Sequence, residues 1–325
     1  MPGKALKISL SSFSLGRLKI PESHILIIGP TGSGKTNTAK VLLEEIIKKG
    51  IKVLVLDWHG EYKGLEKYTP GDNLSMNIFG NTTKTVDVEF IIDLLSQVFQ
   101  LSEPQWYLLQ KSLKESRIEG LKLSGLVNAV EEQPVRDYKE FEVKAALLRR
   151  LALLNEGVLG NVLNGDQEPY FLFERDVIVD LSPIPVKYRS LLALVILKHL
   201  YDYAVFIRGM KDRMVHATLI EEAWNVIPYR ARWEQPSIGE RLFLEIRKFG
   251  EQMIGVSQRI EDLSERVVKN AQLILIHSPY YQDLVKMGFS SDLVSKTNLR
   301  GRKGIAYVIY PDRIKIVKVR KAYKL

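Results

Sequence analysis

The chain has 325 residues, enough for one large α/β core with a smaller unit inserted or appended, and its 46% hydrophobic and 26% charged residues exclude wholesale disorder. The formal net charge of +9 favours polyanionic partners, nucleic acid first among them, although a well-solvated basic surface would give the same value. Cysteine is absent, which excludes disulfides, thiolate metal sites and a cysteine nucleophile.

Six short apolar runs rich in Ile, Leu and Val predict buried strands. They are residues 24–28, 52–56, 176–179, 217–220, 253–256 and 273–276. Helical patterns lie between most of these runs. In residues 36–49, for example, apolar side chains form one helical face and Gly50 closes the helix. Strands that alternate with helices predict an α/β fold with a mostly parallel sheet and helices on both faces.

The pattern changes in residues 86–164, which contain helical segments and no strand candidate. We expect a helical insertion there, between a first part of the core, residues 1–85, and a second part, residues 165–325. Near the end of the chain, residues 305–310 and 314–319 are two further strand candidates. Their spacing predicts a C-terminal antiparallel β-hairpin.

The sequence predicts no membrane span. The most apolar helical run, residues 191–197, is interrupted by Lys198 and His199, which leaves it far short of the roughly 20 apolar residues that a span needs. Residues 1–19 lack the apolar stretch of a signal peptide. A cytoplasmic protein is therefore expected.

A phosphate-binding loop, G-x-x-x-x-G-K-[ST], is matched at every specified position by Gly29-Pro30-Thr31-Gly32-Ser33-Gly34-Lys35-Thr36. The loop follows a predicted strand and opens a predicted helix, so that its backbone N–H groups can face phosphates. Lys35 would reach the β and γ phosphates and Thr36 would ligate Mg²⁺. We therefore expect ATP and Mg²⁺ as cofactors, with Thr38 and Asp57 also in the nucleotide site. The alternative is a glycine-rich turn without function.

Two carboxylates, Glu221 and Glu222, follow one of the predicted strands. Because Mg²⁺ prefers hard oxygen ligands and a water must be positioned for attack, Glu221 is predicted to act at the metal and Glu222 to orient or activate water. Adjacent acids repel each other, which indicates a cation nearby. The alternative is an acid-rich helix N-terminus.

Several separated motifs resemble the HerA and FtsK group of P-loop motor ATPases, and HerA-like proteins of archaea most closely. Besides the phosphate loop they are Asp57-Trp58-His59-Gly60-Glu61-Tyr62, Asp180-Leu181-Ser182, Glu221-Glu222-Ala223-Trp224-Asn225, Glu245-Ile246-Arg247-Lys248-Phe249-Gly250 and Ser257-Gln258-Arg259. The chain departs from the family pattern at Trp58, Glu221, Trp224 and Ile246, where the family has Pro, Asp, His and Gly. The resemblance covers most of residues 21–310 apart from the insertion, and it implies a RecA-like P-loop NTPase fold.

The resemblance also implies roles for individual residues. Arg247 would be an arginine finger that acts on ATP bound by a neighbouring subunit, and Gln258 would sense the γ phosphate. Apart from the resemblance, the residue types of Asp57, His59 and Glu61 would also suit a metal site, but ligands at alternate positions after a strand rarely form one. We expect instead that Asp57 lies beside the loop and orders Lys35 or a water, while His59 and Glu61 face an adjoining subunit.

The same resemblance implies a homo-hexameric ATPase that translocates double-stranded DNA in DNA processing, packaging or transfer. A NurA-like nuclease is a candidate partner. About twenty residues precede the first predicted strand, whereas HerA proteins carry a β-barrel there, so a motor without the barrel is expected. Two other functions stay open: a conjugation or secretion ATPase, and a nucleotide-gated assembly module with slow hydrolysis.

A loop that follows the acidic pair interleaves cations with aromatic side chains. Arg230, Arg232 and Trp233 form its centre, and such surfaces bind phosphates and stack on bases. We predict that this loop contacts DNA in the channel of the ring. A subunit interface or an ordinary packed loop would explain the same residues.

Overall fold

The computed structural model describes residues 6–9, 17–20, 23–80, 88–116, 121–166, 169–230, 233–278, 303–310 and 314–325. Contacts within the chain divide it into two compact units. The first comprises Met1–Lys67, Leu172–Ile178 and Tyr201–Leu325, and the second comprises Tyr68–Phe171 and Val179–Leu200. The boundaries 1–85, 86–164 and 165–325 drawn from the sequence stay a prediction.

The described residues form a main β-sheet of nine strands and a separate antiparallel pair, Leu6–Ser9 (β1) and Arg17–Ile20 (β2). The strands of the main sheet are Ile25–Ile28 (β3), Lys52–Asp57 (β4), Glu66–Tyr68 (β5), Val177–Asp180 (β6), His216–Ile220 (β7), Glu251–Ser257 (β8), Leu273–His277 (β9), Ile305–Ile309 (β10) and Ile314–Lys318 (β11). Their order across the sheet is β11-β10-β9-β3-β8-β7-β4-β6-β5.

The centre of the main sheet is parallel and one edge is antiparallel. β3 runs parallel to β8 and β9, and β7 runs parallel to β4 and β8. β10 runs antiparallel to β9 and to β11. These pairings confirm the predicted mostly parallel α/β sheet and the C-terminal hairpin, whose turn, residues 311–313, lies outside the described residues.

The helices are Lys35–Ile47 (α1), Val88–Phe99 (α2), Glu103–Glu115 (α3), Leu123–Glu131 (α4), Tyr138–Asn155 (α5), Gly157–Leu163 (α6), Val186–Asp202 (α7), Ile238–Glu245 (α8) and Glu265–Asn270 (α9). One face of α1 supplies buried side chains to the core, among them Leu42, Leu43 and Ile46. Every residue of β3 and β7 is buried. β3 is apolar throughout because both faces of a covered parallel sheet are buried, whereas β7 carries buried His216 and Thr218, which hydrogen-bond to Glu251 of β8.

Helices α2 to α6 lie in the second unit and pack around a leucine-rich core of their own. Leu109 and Leu113 of α3, Leu126 of α4, and Leu147 and Leu151 of α5 are all fully buried. The spacing of these leucines at three or four residues places them on one face of each helix.

The apolar helix α7 is longer than the sequence analysis predicts. Lys198 and His199 do not end it: the ring of His199 is buried, and its Nε2 lies 2.9 Å from the backbone oxygen of Asn77. The helix continues through a π-helical turn, Tyr203–Arg208. Within the described ranges, Val186–Arg208 is the one helix long and apolar enough to cross a membrane. Its most apolar 18-residue stretch has a mean hydropathy of 1.6 and is 56% buried inside the protein, and core helices meet the same criterion.

The last residues of the chain are fastened to α1. The Arg320 guanidinium donates to Glu44 at 2.6 Å and to Glu45 at 3.1 Å, and all three side chains are largely buried. Asn37 donates to the Arg320 carbonyl at 2.7 Å and accepts from the backbone N–H of Ala322 at 3.0 Å. Residues 320–322 therefore help to hold in place the helix that begins at the phosphate loop.

Candidate functional site

The phosphate loop connects β3 to α1 and depends on glycine at two positions for different reasons. Gly34 precedes α1 with a φ of 111°, a conformation that side chains disfavour. At Gly29 an added Cβ would lie 2.7 Å from the His277 carbonyl oxygen and 2.8 Å from the His277 Cβ. The loop therefore packs closely against the end of β9, and this contact fixes the loop at the carboxyl ends of the parallel strands.

Lys35, the first residue of α1, folds back over the loop. Its Nζ donates to the Pro30 carbonyl oxygen at 3.1 Å. Burial lowers the pKa of Lys35, while the negative charges of Glu222, Glu221 and Glu61 oppose that shift. The ammonium group thus lies among acids, at a point where phosphate oxygens would find a cation.

A cavity of about 540 Å³ lies over the loop, within the size range of small-molecule sites. Its walls bring together eight residues predicted from sequence, namely Thr31, Gly32, Gly34, Lys35, Thr36, Glu221, Glu222 and Gln258. Arg247, Thr38 and Asp57 do not lie on its walls.

Glu221 is 4% exposed and lies at the end of β7. Burial, together with the charges of Asp57 and Glu61, raises the pKa of its carboxyl to about 8. Its Oε2 has no hydrogen-bond partner among the described residues. A buried carboxyl with an unpaired oxygen, in one cavity with the Thr36 hydroxyl, fits a hard divalent cation such as Mg²⁺.

Glu222 has left-handed backbone angles, with φ 46° and ψ 47°, which is uncommon for a residue with a side chain. Its Oε2 accepts a hydrogen bond from the Trp224 indole at 2.7 Å. Its Oε1 lies 3.5 Å from the Gln258 amide nitrogen and 3.8 Å from His59 Nε2. The unusual backbone directs this carboxylate into the cavity, where it can accept a proton or orient a water.

Asp57 acts on the cavity through a loop and not by direct contact. Its carboxylate is fully buried and accepts four backbone N–H bonds, from His59, Gly60 and Glu61 at Oδ1 and from Tyr62 at Oδ2, at 2.9–3.2 Å. These bonds fold the segment that follows β4, so that His59 and Glu61 line the cavity. Asp57 is thus a positioning residue, and its carboxylate oxygens are already engaged by backbone donors.

Thr38 is likewise placed beneath the cavity. It is fully buried in the first turns of α1, and its Oγ1 lies 2.8 Å from His277 Nε2. Burial lowers the pKa of His277 to about 4, and the charge of Lys35 acts in the same direction. The ring is therefore neutral near pH 7 and serves as a hydrogen-bonded link between α1 and the end of β9.

Lys303 lines the cavity and was missed by the sequence analysis. The next residue, Gly304, donates its N–H to the Ser33 carbonyl oxygen at 3.3 Å and accepts from Val319 N at 2.7 Å. Because β10 is antiparallel to its neighbour, its first residues lie at the edge where the parallel strands end. The predicted hairpin indicates the position of Lys303 once its first strand is taken to run antiparallel to β9.

Arg247 and Gln258 lie at opposite ends of β8. Arg247 is exposed on a 3₁₀ turn, Ile246–Phe249, that precedes the strand, whereas Gln258 follows the strand and lines the cavity. Seven residues of strand separate them, which is roughly 20 Å at 3.3 Å per residue. Arg247 is therefore not placed to reach the cavity of its own chain.

The predicted DNA loop is described only in part. Arg232 lies outside the described residues. Trp233 is 88% exposed, and Arg230 donates to the Gln235 carbonyl oxygen at 2.9 Å. The loop is thus on the surface, and its contact with DNA stays a prediction.

A family model described as "Helicase HerA, central domain" matches residues 3–200 of the chain. "Probable helicase MJ1565" of Methanocaldococcus jannaschii is 25% identical over 306 residues, which are 86% of this chain and 58% of that protein. "DNA double-strand break repair helicase HerA" of Saccharolobus solfataricus is 42% identical over 60 residues, 18% of this chain and 11% of that protein. The chain thus spans less than two thirds of the length of these relatives.

Two solved structures resemble the fold over nearly the whole chain. VirB4 of Thermoanaerobacter pseudethanolicus has a TM-score of 0.70 at 17% identity, covering 98% of this chain and 97% of that one. The bacterial conjugative coupling protein TrwBdeltaN70 has a TM-score of 0.66 at 11% identity, covering 98% and 90%. At these identities the likeness shows a common fold.

Proposed function

Because the chain belongs to the HerA family of P-loop ATPases and is an ATP-hydrolysing enzyme, we propose that it works as a Mg²⁺-dependent motor that moves double-stranded DNA through a homo-hexameric ring. The observation that carries the proposal is the cavity over the phosphate loop. It unites a lysine of the phosphate loop, a buried carboxyl with one unpaired oxygen and a second carboxylate that is held by an indole.

The loop and Lys35 bind the phosphates of ATP in this proposal. Loop backbone N–H groups at the start of α1 favour negative charge, and the Lys35 ammonium adds a point charge. Thr36 and Glu221 are the candidate ligands of Mg²⁺, which when bound would neutralise charge on the phosphates. Lys303 adds a second cation from the other side of the loop.

Glu222 orients or deprotonates the attacking water. Its carboxylate is fixed by the Trp224 indole and lies next to the Gln258 amide, so a change at the γ phosphate can be passed to β8 through Gln258. Among the described residues, no arginine lines the cavity. Arg247 of a neighbouring copy would complete it, which is why the proposal includes a ring.

DNA is the proposed polyanionic substrate. The net charge of +9, the half-buried Arg230 and the exposed Trp233 support it, and Arg232 belongs to the same proposed contact. A NurA-like nuclease or another DNA-processing protein is the proposed partner. The relative from Saccharolobus solfataricus is named a DNA double-strand break repair helicase, which is consistent with a role on duplex DNA.

Steady-state ATP hydrolysis with Mg²⁺, with and without double-stranded DNA, tests the proposal. We expect DNA to stimulate turnover, Glu222→Gln to abolish it while ATP binding persists, and the surface change Glu132→Gln to leave both unchanged. Rapid hydrolysis that is indifferent to DNA would reject DNA as the substrate and favour a secretion-type ATPase. An absence of hydrolysis at every protein concentration would favour a nucleotide-gated assembly module.

A further inference from the structure

The second unit contains a groove that shares no residue with the nucleotide cavity. It lies between α3 and the start of α5 and encloses about 430 Å³. Its α3 wall consists of Pro104, Tyr107, Leu108 and Lys111, which are spaced as the residues of one helical face are. We call this feature the α3–α5 groove.

The other wall is the start of α5 with the segment before it, and this part of the chain projects beyond the leucine core. α5 begins at Tyr138, yet its first buried residue is Leu147. Residues 134–142 are exposed without interruption, and Val135 and Val143 line the groove. About two and a half turns of α5 thus extend past the core and bound a groove with apolar side chains in its lining.

Hydrogen bonds fix the separation of the two walls. The Lys144 ammonium of α5 donates to the backbone oxygens of Glu131 and Gln133, the latter at 2.8 Å. Further along α5, the Arg150 guanidinium donates to the side-chain oxygen of Gln105, a buried residue of α3. The groove is therefore preformed, which reduces the loss of conformational entropy when a ligand binds.

Cations surround the apolar lining, with Lys111 on α3 and with Arg136 and Lys139 at the start of α5. Among the described residues, the Arg136 guanidinium and the Lys139 ammonium have no acidic partner, and Lys111 has one, Glu115, at 3.9 Å with both side chains exposed. Exposed pairs of this kind contribute little free energy. These three cations are therefore available to a ligand.

One acid, Glu140, is among the described residues that line the groove. Its Oε2 accepts the backbone N–H of Arg136 at 2.9 Å, so the carboxylate is engaged in holding the turn before α5. The groove as a whole thus has an excess of positive charge around an apolar lining.

A buried acceptor also belongs to the lining. Gln133 is 6% exposed, and its amide nitrogen donates to Glu115 Oε2 at 2.6 Å. Its Oε1 has no hydrogen-bond partner among the described residues, and buried acceptors without a partner are uncommon because they lose their hydration. A ligand that carries N–H donors, as a peptide backbone does, suits this wall.

The combination of apolar lining, cations and acceptor complements an acidic segment of a protein. Single-stranded nucleic acid also pairs with cations, but it binds by stacking its bases on aromatic rings. Tyr107 is the one aromatic side chain among the described residues that line the groove, and the other apolar lining residues are proline, leucine and valine. The chemistry of the lining therefore favours a peptide.

We propose that the α3–α5 groove is the docking site of a partner protein, which inserts an acidic segment that carries large apolar side chains. The apolar side chains pack against Tyr107 and Leu108, and the flanking carboxylates pair with Lys111, Arg136 and Lys139. The inference goes beyond the proposed function because it names a second binding surface of the chain. It holds whether or not DNA is the substrate of the ATPase.

Selection from a library of random peptides tests the inference without knowledge of the partner. The full-length native chain is the bait, and peptides that also bind the double variant Arg136→Glu/Lys139→Glu are subtracted. We expect the remaining peptides to combine aspartate or glutamate with leucine, phenylalanine or another large apolar residue. A selection that leaves no such peptides would overturn the inference.

Fluorescence anisotropy then measures the affinity of one selected peptide for variants of the full chain. Arg136→Glu and Lys139→Glu should each weaken binding about tenfold, because a pairing cation is replaced by a repelling charge. Tyr107→Ser should weaken it by a similar factor through loss of apolar contact area. All three variants should keep the native ATPase rate, since none of these residues lines the nucleotide cavity.

The matched controls are Arg149→Glu and Leu153→Ser, at exposed positions of α5 outside the groove, and neither should change the affinity. Equal affinity of the native chain and the groove variants would overturn the inference. Equal binding of a peptide whose apolar residues are replaced by serine would do the same, because attraction would then depend on charge alone. Binding of oligo-dT that is lost in the double variant, with the affinity of the peptide unaffected, would assign the surface to nucleic acid and likewise overturn the proposal.

Discussion

Glu222 and Trp224 are joined by a hydrogen bond of 2.7 Å between the carboxylate Oε2 and the indole Nε1. The bond fixes a side chain whose backbone is already in the left-handed region, so the carboxylate has one preferred direction. A hydrogen bond to a charged group contributes about 1.5–3 kcal/mol. Trp224 is thus the residue that holds the proposed water-orienting group in place.

The first prediction concerns this bond. Trp224→Phe removes the donor and should lower the maximal ATPase rate about tenfold while ATP affinity stays the same, because only the orientation of Glu222 changes. Trp224→His, which restores an N–H donor, should recover much of the rate. Steady-state kinetics and a fluorescent-nucleotide titration separate the two parameters, and Trp106→Phe in α3 is the control.

The second prediction concerns Arg247. Arg247→Ala should retain ATP binding and lose turnover by a factor of about 10³, the lower range for an arginine finger. The ATPase rate per chain of the native protein should rise with protein concentration as rings form. The residual rate of Arg247→Ala should stay constant, near the rate of the dilute native chain. Lys248→Ala, the neighbouring cation, should have a small effect; a large loss there, with Arg247→Ala near native, would transfer the role to Lys248.

The third prediction concerns Lys303, the cavity cation contributed by the C-terminal hairpin. Lys303→Ala should weaken ATP binding about tenfold and ADP binding less, because a cation facing phosphates loses more with the more highly charged ligand. Lys303→Arg should keep most of the affinity. Lys315→Ala, on the exposed side of β11, is the control. Identical ATP affinities for native chain and Lys303→Ala would remove Lys303 from the phosphate site.

The fourth prediction is a pH dependence of stability from Glu221. Its pKa is raised from 4.5 to about 8, so in the absence of metal the stabilising neutral form is fully present below pH 4.5 and is lost as the pH rises through about 8. Glu221→Gln removes that loss. Without Mg²⁺, the variant should therefore melt several degrees above the native chain at pH 9 and close to it at pH 5.

Thermal melts over this pH range measure the difference. Mg²⁺ added at pH 9 should raise the native melting temperature and have little effect on Glu221→Gln, because the amide is a poorer ligand. If the melting temperatures of the native chain and of Glu221→Gln differ by the same amount at every pH from 5 to 9, Glu221 ionises normally in the folded chain.

The fifth prediction concerns the clamp of Arg320 on α1. Arg320→Ala leaves Glu44 buried without its partner and should destabilise the fold by about 3 kcal/mol. Lys321→Ala, next to it and exposed, should change stability by less than about 0.5 kcal/mol. Denaturant unfolding measures both. A native-like midpoint for Arg320→Ala would show that the ion pair contributes little beyond its desolvation cost.

The sequence predicts the parts of the site that are local in the chain. The phosphate loop is one continuous motif, and Glu221, Glu222 and Gln258 each follow an apolar run, so the rule that ligands bind beyond the carboxyl ends of parallel strands brings them together. The sequence also predicts eight of the eleven described strands, including the two of the C-terminal hairpin, because their apolar runs are short and bounded by polar residues. It does not predict β1, β2 or β5.

The rest depends on contacts between segments far apart in sequence. Thr38 lies close to the phosphate loop in the sequence. As the fourth residue of α1, however, it faces the sheet, and its hydroxyl contacts His277. Asp57 has the right residue type, yet its oxygens are taken by the following backbone. Lys303 reaches the cavity only because β10 pairs with β9. His199 did not end its helix because a backbone carbonyl satisfies its ring inside the core.

The clamp between Arg320 and Glu44 has a consequence for how such chains diverge in evolution. The two positions are 276 residues apart, and replacing Arg320 alone would leave the buried Glu44 without its cationic partner. We expect homologues to keep both or to replace both with apolar residues of similar volume. Covariation of positions 44 and 320 would then distinguish chains that fasten this segment to the phosphate-loop helix from those that do not.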